Sequence, residues 1–210
     1  MNIKDYEKNG FEIYKAFAKA VKYILEQAIQ SDNSLPRIQS VQCRAKETRS
    51  LQSRLVEAGN LDTQTLEIDR RDLAGVRVIF YTNNDVYDFL NSHLIRKNFD
   101  IEEDSTKIYY ATQEKKDVRY RAIHYTVRLR EERTRLPEYM RFAGLRCEIQ
   151  IQTILNHAWS ETSHDIIYKD KLCDGYGKKA KEVITRRFKW IMDQYLIPAG
   201  FEMQKAQEEQ

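Results

Sequence analysis

The sequence is poor in the residues that build disulfide frameworks, zinc sites and membrane spans. Its three cysteines, Cys43, Cys147 and Cys173, lie far apart and form no CxxC pair. An odd number of widely spaced cysteines argues against a disulfide framework or a zinc ribbon. No apolar run approaches the roughly 20 residues that cross a bilayer, and the polar residues 1–10 are not typical of a signal peptide. We therefore expect a reduced, cytoplasmic protein that does not associate with membranes.

The sequence also lacks the glycine-rich motifs that hold nucleotide phosphates with backbone amides. Its seven glycines form neither GxxxxGK[ST] nor GxGxxG,. If the protein binds ATP, it must therefore hold the phosphates with side chains. His157, Glu161 and His164 share one face of a predicted helix but lack the HExxH arrangement of a zinc site,. We expect Glu161 and His164 to be polar cleft residues rather than metal ligands.

Charge is nearly balanced, with 35 Lys and Arg against 32 Asp and Glu, which gives a net charge of +3. Such a balance does not by itself predict nucleic-acid binding. One segment differs, because residues 44–54 carry Arg44, Lys46, Arg49 and Arg54 against Glu47 alone. This surplus is either a solvated helix face or a place where anions bind.

Apolar periodicity predicts an α+β protein with a mixed central sheet flanked by helices. Residues 14–28 place an apolar stripe at helical spacing, and a second helix is expected over about 46–58, ended by Gly59. Residues 38–43 are either a strand or an extended lead-in, and strands are expected over residues 76–81, 99–103, 120–130 and 145–152. The last of these alternates most clearly, with Glu148 and Gln150 on its polar face,.

Three further helices are expected. Asn83 or Asn84 caps the first, whose inner stripe runs from Val86 to Leu94 and includes His93. The second begins near Thr153, and its predicted inner stripe is Leu155, Ala158, Trp159, Thr162 and Ile166. The third ends at residues 198–200, which begin with a proline. We expect residues 1–200 to form one domain with a helix at each end, followed by a charged tail, residues 201–210, that frays.

Two carboxylates are the main candidates for chemistry. Asp72 opens a core strand and can hold Mg²⁺, a hard cation that prefers oxygen ligands, although a turn aspartate would fit the same place. Gly75 follows in the strand, where a glycine allows a ligand or another backbone to approach closely. Glu148 lies in a strand before a helix with a broad polar face, where it can act as a general base or simply face solvent.

In their order and spacing, four segments of the chain resemble the synthetase domain of the RelA/SpoT family, in particular the small alarmone synthetases that lack a hydrolase domain. They are RAK (44–46) with Ser50 and Arg54, DLAGVR (72–77), RYRAIH (119–124) and EIQIQT (148–153) with the helix that follows. Together they span about residues 42–169. The resemblance implies a nucleotidyltransferase-like fold and transfer of pyrophosphate from ATP to the 3′-hydroxyl of GDP or GTP.

The resemblance also implies roles for individual residues. Asp72 and Glu148 would hold Mg²⁺, and Glu148 would deprotonate the attacking hydroxyl. The implied ATP-binding residues are Arg44, Lys46, Ser50, Arg54 and Arg77. Tyr120 would stack on the acceptor base, and the other implied acceptor-binding residues are Arg121, His124, Gln150 and Asn156.

Departures from the family pattern leave the acceptor open. The loop before Tyr120 reads EKKDVR (114–119), without the proline, asparagine and glycine usual there, and Arg54 and Gln152 replace the usual lysine and arginine. Toxic members of the family pyrophosphorylate the 3′ CCA end of tRNA, which a basic loop would suit. Such a toxin would need an antitoxin or an autoinhibitory segment, which the tail could begin. A catalytically silent nucleotide- or RNA-binding module is the third alternative.

Overall fold

The computed structural model describes residues 1–109, 121–166 and 177–209, and its centre is a mixed β-sheet. The described strands are β1 (Ile38–Ala45), β2 (Ala74–Phe80), β3 (Phe99–Ile101), β4 (Lys107–Tyr109), β5 (Ala122–Leu129) and β6 (Cys147–Thr153). Their order is β1-β2-β6-β5-β3, and β4 pairs with β5 beside β3. β2 and β6 run parallel, whereas the other described pairs are antiparallel.

Helices flank this sheet, so the predicted α+β class is confirmed. They are α1 (Phe11–Gln30), α2 (Thr48–Glu57), α3 (Asn83–Asn91), α4 (Ile154–His164), α5 (Gly177–Ile191) and α6 (Ile197–Glu208). Shorter helical turns cover Ile3–Asp5, Leu66–Asp69, Leu94–Asn98, Glu103–Ser105, Glu131–Thr134 and Met140–Phe142, and π-helical turns cover Tyr6–Gly10 and Met192–Leu196. Within the described ranges, no helix is both long enough and apolar enough to span a membrane.

The hydrophobic core lies between α1 and one face of the sheet. The buried residues of α1 recur at helical spacing, as predicted: Tyr14, Phe17, Ala18, Val21, Ile24 and Leu25. Alternate residues of the inner strands meet them, among them Val76, Val78, Cys147, Ile149 and Ile151. Burial of each large apolar side chain stabilises the fold by about 1.5–3 kcal/mol. The opposite face of the sheet is thereby left for polar residues.

The prediction that Asn83 or Asn84 caps α3 is wrong. Thr82 is the cap: its Oγ1 accepts from the Asp85 amide at 3.2 Å, and Asp85 Oδ2 accepts from the Thr82 amide at 2.9 Å. A threonine followed three residues later by an acid is the capping-box pattern. His93 does not belong to the inner stripe either, because it follows the helix with a positive φ of 56° and is exposed.

The predicted inner stripe of α4 is also wrong. Asn156 and Ser163 are its buried residues, whereas Ala158, Thr162 and Ile166 are exposed. The polar face can be buried because its groups are bonded; for example, Asn156 Nδ2 donates to Thr153 Oγ1 at 2.9 Å,. Trp159 instead contacts α5, where its indole N–H donates to the Phe188 carbonyl at 3.0 Å.

The last helix does not end at residues 198–200 as predicted. Pro198 lies in the first turn of α6, where a missing N–H is tolerated, and the helix continues to Glu208,. Gln207 contacts both members of the α3 capping box: Thr82 Oγ1 donates to its Oε1 at 2.6 Å, and its Nε2 donates to Asp85 Oδ1 at 2.9 Å. Residues 201–208, predicted to fray, are helical, and Gln207 and Glu208 at their end are bonded to residues at the start of α3.

Candidate active site

The polar face of the sheet is assembled by strand register. One row across β1, β2, β6 and β5 contains Arg44, Gly75, Glu148 and Thr126, and the next row contains Gln42, Arg77, Gln150 and His124. Lys107 of β4 pairs with His124 at the edge of the second row. Directly opposed residues on neighbouring strands have Cβ atoms about 5 Å apart. Residues far apart in sequence therefore become neighbours on this face.

A cleft of about 230 Å³ opens on this face. It brings together six residues predicted to have functional roles: Arg44, Asp72, Arg77, Glu148, Gln150 and Glu161. Its remaining lining residues are Gln42, Cys43, Gly75 and Val76. Both candidate catalytic carboxylates thus face the same space as two of the cations predicted to hold ATP.

Gly75 lies in the lining of the cleft, between Arg44 and Glu148. A Cβ atom at this position would come no closer than 3.9 Å to the carbonyl oxygens of Arg44 and Glu148. The protein itself therefore does not require a glycine here. An added side chain would instead extend into the cleft, which fits the prediction that a ligand approaches the backbone at this position.

Glu148 is the most strongly perturbed acid of the cleft. Burial opposes its ionisation, but the hydrogen bond and charge of His124, the bond from Gln150 and the charge of Lys107 together lower its pKa to about 2. His124 Nδ1 lies 3.2 Å from Glu148 Oε1, and Gln150 Nε2 donates to Oε2 at 2.6 Å. Glu148 is therefore a carboxylate throughout the neutral range.

A chain of contacts links Glu148 to the other wall of the cleft. Gln150 Oε1 accepts from Arg77 Nε at 3.0 Å, and Arg77 Nη2 lies 2.8 Å from Glu161 Oε1. Burial raises the pKa of Glu161, but its hydrogen bond to Arg77 and the charges of Arg77, Arg44 and His157 outweigh this, and the pKa falls below its ordinary value. Arg77 is thus fixed between β6 and α4.

Arg44 and Lys46 add two more cations. Arg44 remains accessible to solvent, yet burial of its guanidinium and the neighbouring charge of Arg77 lower its pKa. Lys46 Nζ lies 2.5 Å from Asp72 Oδ2. Positively and negatively charged side chains alternate along the cleft. Such an arrangement suits a ligand that carries both phosphates and a metal ion, because the cations can bind phosphate and the carboxylates can bind the metal.

The donor atoms of the cleft fit Mg²⁺. In the described ranges, no three His, Cys, Asp or Glu side chains cluster in a way that could hold a metal ion. Asp72 and Glu148 nevertheless line one cleft. Magnesium is commonly bound by one or two carboxylates, with water and substrate phosphates as its other ligands. Asp72 and Glu148 can therefore supply the protein ligands of such a site.

Several predicted site residues lie outside the lining of this cleft. Ser50 and Arg54 are one turn apart on α2, and His164 is the last residue of α4. Arg121 and Asn156 line a second, small cavity next to Leu196, Ile197 and Gly200 of the C-terminal segment. Tyr120 lies outside the described residues.

Polar neighbours of the site were missed by the sequence analysis. Thr126 shares the row of Glu148, and Lys107 lowers the pKa of Glu148 through its charge. Gln152 and His157 were each named from the sequence, but not their contact, in which Gln152 Nε2 lies 3.2 Å from His157 Nδ1. The alternation of His124, Thr126 and Arg128 along β5 would have found Thr126. The position of Lys107 depends on strand pairing and leaves no local signal.

Comparison with known families gives one match over most of the chain. Residues 43–172 match the family described as the region found in RelA / SpoT proteins. This range contains all the candidate catalytic, ATP-binding and acceptor-binding residues. No curated protein matches the chain.

Solved structures share the fold over nearly their whole length. Small alarmone synthetase 1 from Bacillus subtilis has a TM-score of 0.74 at 20% identity, covering 98% of this chain and 97% of that one. Small alarmone synthetase 2 from Bacillus subtilis has a TM-score of 0.70 at 23% identity, covering 98% and 100%. A GTP pyrophosphokinase family protein from Streptococcus pneumoniae has a TM-score of 0.68 at 23% identity, covering 96% and 95%. Structures of the first of these proteins contain its product pppGpp or AMPCPP.

Proposed function

The chain belongs to the RelA/SpoT family, and we propose that it transfers the β,γ-pyrophosphate of ATP to the 3′-hydroxyl of GDP or GTP, forming (p)ppGpp and AMP. The observation that carries this proposal is the cleft in which Asp72, Glu148, Arg44 and Arg77 converge. The pppGpp and AMPCPP complexes of a structural neighbour support nucleotides as both substrates.

ATP is the donor in this proposal, and side chains of β1, β2 and α2 hold it. Arg44 packs on the adenine, and Lys46 and Arg77 lie near the phosphates. Ser50 and Arg54 of α2 contribute to the same phosphates. A guanidinium offers several N–H donors in a fixed fork and suits phosphate oxygens better than a single ammonium group does.

Glu148 is the general base for the acceptor hydroxyl. The 3′-oxygen attacks the β-phosphorus of ATP, the bond between that phosphorus and the α,β-bridging oxygen breaks, and AMP leaves with the bridging oxygen. The proton of the hydroxyl moves to the Glu148 carboxylate. Gln150 and His124 keep the carboxylate oriented toward the cleft. Such a transfer depends mainly on positioning and on charge neutralisation.

Asp72 and Glu148 would together hold Mg²⁺. A bound magnesium ion would neutralise phosphate charge and make the attacking hydroxyl more acidic. This matters because a carboxylate with a pKa of about 2 accepts a proton reluctantly,. Lys46 would then pass from Asp72 to a phosphate oxygen, since both are anionic partners within its reach.

The acceptor lies on the β5 side of Glu148. His124 and Gln150 border that side, and Tyr120 stacks on the acceptor base. Arg121 and Asn156, which line the second, small cavity, are the other acceptor-binding residues of the proposal. Stacking of a base on an aromatic ring contributes about 1–3 kcal/mol. The substrates are nucleotides of the cytoplasm, where we expect the protein to act.

The 3′ CCA end of tRNA is the second candidate acceptor. One observation favours it, because the loop before Tyr120 carries Lys115, Lys116 and Arg119. Several cations in one loop suit an RNA backbone, and binding would then weaken steeply with salt. An enzyme of this kind would also need an antitoxin or an autoinhibitory segment.

A labelling experiment separates these acceptors. Purified protein, Mg²⁺ and ATP labelled on the γ-phosphate are incubated with GDP, GTP or deacylated tRNA, and the products are separated by chromatography and on gels. Label in a guanosine tetra- or pentaphosphate supports the proposal. Label on tRNA alone favours the toxin alternative. Binding of ATP without transfer to any of the three would leave only a catalytically silent module.

A further inference from the structure

Three arginines converge on one carboxylate beside the cleft. Arg146 Nε lies 2.6 Å from Glu102 Oε1, and Arg128 Nη2 contacts the same oxygen. Arg71 Nε lies 3.8 Å from Glu102 Oε2. We call Arg71, Arg128 and Arg146 the arginine cluster. Glu102 is its resident counter-ion, and these bonds lower the pKa of Glu102 despite its burial.

The arginine cluster continues the polar face beyond the catalytic row. Arg146 immediately precedes β6 and lies two residues before Glu148, and Arg128 follows Thr126 by two residues on β5. Two residues along a strand span about 6.6 Å. Arg146 and Arg128 therefore lie about 6.6 Å along the chain from Glu148 and Thr126, respectively. Arg71 lies next to Asp72 in sequence.

The cluster has more cationic groups than its counter-ion can satisfy. Three guanidiniums share one carboxylate, so the group carries a net charge of +2. Arg128 Nε is buried without a hydrogen-bond partner among the described residues. The side chains of Arg71 and Arg128 are still 49% and 42% exposed. Arg146 is anchored more firmly, because its Nη1 also donates to the Glu67 carbonyl at 3.0 Å. A structural ion pair would need only one of these arginines.

The location of the cluster decides between donor and acceptor phosphates. The cations proposed to hold ATP lie on β1, β2 and α2, on one side of Glu148. Arg128 lies on β5, on the other side, with His124. Neighbouring strands are about 4.8 Å apart, so β5 is two strands from β2. Arg146 precedes β6, the strand of Glu148, and Arg71 precedes Asp72, so Arg128 is the member of the cluster on the acceptor side. An anion bound by Arg128 would reach Glu148 from that side.

We propose that the arginine cluster binds the 5′-phosphates of the acceptor nucleotide while its 3′-hydroxyl faces Glu148. The ligand class is a nucleoside 5′-di- or triphosphate, and the inference rests on the proposed function. Guanidinium forks bind phosphate oxygens in pairs, and Glu102 holds the forks in place until phosphate replaces it. The cluster would thus favour nucleotides that carry several 5′-phosphates over nucleosides.

Binding of GDP and of guanosine tests this assignment. Both are titrated calorimetrically into the wild-type protein and into the variants Arg128→Gln, Glu102→Gln and Arg135→Gln. Arg135 is a matched control, because it is an exposed arginine that forms an ion pair with Glu131. We expect Arg128→Gln to weaken GDP binding by about tenfold or more, the size of one charged hydrogen bond, and to leave guanosine binding unchanged.

Glu102→Gln gives the discriminating result. In this variant no carboxylate competes with phosphate for the arginines. GDP should therefore bind to it at least as tightly as to the wild type. A merely structural cluster would behave differently: both variants would lower the melting temperature, and the ratio of GDP to guanosine affinity would stay constant. That constant ratio would overturn the proposal. Arg71→Gln, at a more exposed position, replaces Arg128→Gln if the latter does not fold.

An assay of label transfer distinguishes failure of this inference from failure of the proposed function. GDP binding that depends on Arg128, with no transfer of label to GDP or GTP, would contradict the proposed function but still support the phosphate subsite. Transfer to GDP that is indifferent to Arg128 and Glu102 would contradict the subsite alone. Binding of tRNA that depends on Arg128, with none of GDP, would overturn the assignment to a free nucleotide.

Discussion

Gln150 donates its amide N–H to Glu148 Oε2 at 2.6 Å. Its amide oxygen accepts from Arg77 Nε at 3.0 Å, so one side chain connects the proposed base to a cation of the proposed donor site. The two bonds fix the orientation of the amide, because a flipped amide would set like groups against each other. Both substrates would thus meet residues that are already held in place.

Replacement of Glu148 by glutamine should abolish transfer and leave ATP binding nearly intact. Loss of a general base typically costs about 10²–10⁴-fold in rate, and the amide keeps the size of the side chain. Rapid-quench assays of product formation and calorimetric titration of a non-hydrolysable ATP analogue measure the two effects. Glu131→Gln, on the exposed surface, is the control. Full turnover by Glu148→Gln would remove Glu148 as the base.

Glu148 should make stability depend on pH in the acid range. Its folded-state pKa is depressed to about 2 from 4.5, so its contribution to stability is present above the unfolded value. That contribution is lost as the pH falls from about 5 toward 2, and its full size is about 3 kcal/mol. Denaturant unfolding of wild type and Glu148→Gln at several pH values measures it. The difference between them should shrink toward pH 2, and a constant difference would contradict this assignment.

Replacement of Tyr120 by alanine should weaken acceptor binding more than ATP binding. The expected loss is about 1–3 kcal/mol, which is the contribution of stacking a base on an aromatic ring. Steady-state kinetics with each substrate varied in turn separate the two effects, and Tyr120→Phe, which keeps the ring, should behave as the wild type. Equal losses for both substrates would exclude this role for Tyr120.

Replacement of Gln207 by alanine should destabilise the protein by about 1 kcal/mol, since it removes hydrogen bonds to both members of the α3 capping box,. Lys205→Ala serves as the comparison, because Lys205 forms an exposed ion pair with Glu202 and such pairs contribute little. Thermal unfolding of the two variants gives the answer. Identical melting temperatures for both would mean that α6 does not stabilise α3.

The sequence predicted the elements whose pattern is local. The stripe of α1 and the alternation in β6 are confirmed, because a helix or strand that covers a core must repeat its apolar residues at the period of its backbone. The same alternation gave the polar face that carries Glu148 and Gln150. Asp72, Gly75 and Arg44 were also singled out from the residues themselves, whereas the role of Arg77 came from the family resemblance. That these residues share one cleft could not be predicted, since strand register cannot be read from one segment.

The errors have different causes. The Thr82–Asp85 capping box is a local pattern that the prediction overlooked, whereas the course of the last helix involves distant contacts. A proline such as Pro198 is compatible with either the end or the first turn of a helix. In the structure it lies in the first turn of α6, and Gln207 of the same helix contacts the start of α3.

The buried face of α4 was misjudged because its polar groups find partners within the fold, as Asn156 does in Thr153. Glu102 contacts arginines from three separate segments of the chain. Such a contact between distant segments cannot be predicted from the local sequence.

In the proposed reaction the pyrophosphate group moves as one unit from ATP to the acceptor. Parallel reactions with GDP, one with ATP labelled on the β-phosphate and one with ATP labelled on the γ-phosphate, test it most directly. We predict that both labels enter the nucleotide product in equal amounts and that AMP forms in the same quantity. Transfer of the γ-label alone, with ADP as the second product, would contradict this prediction.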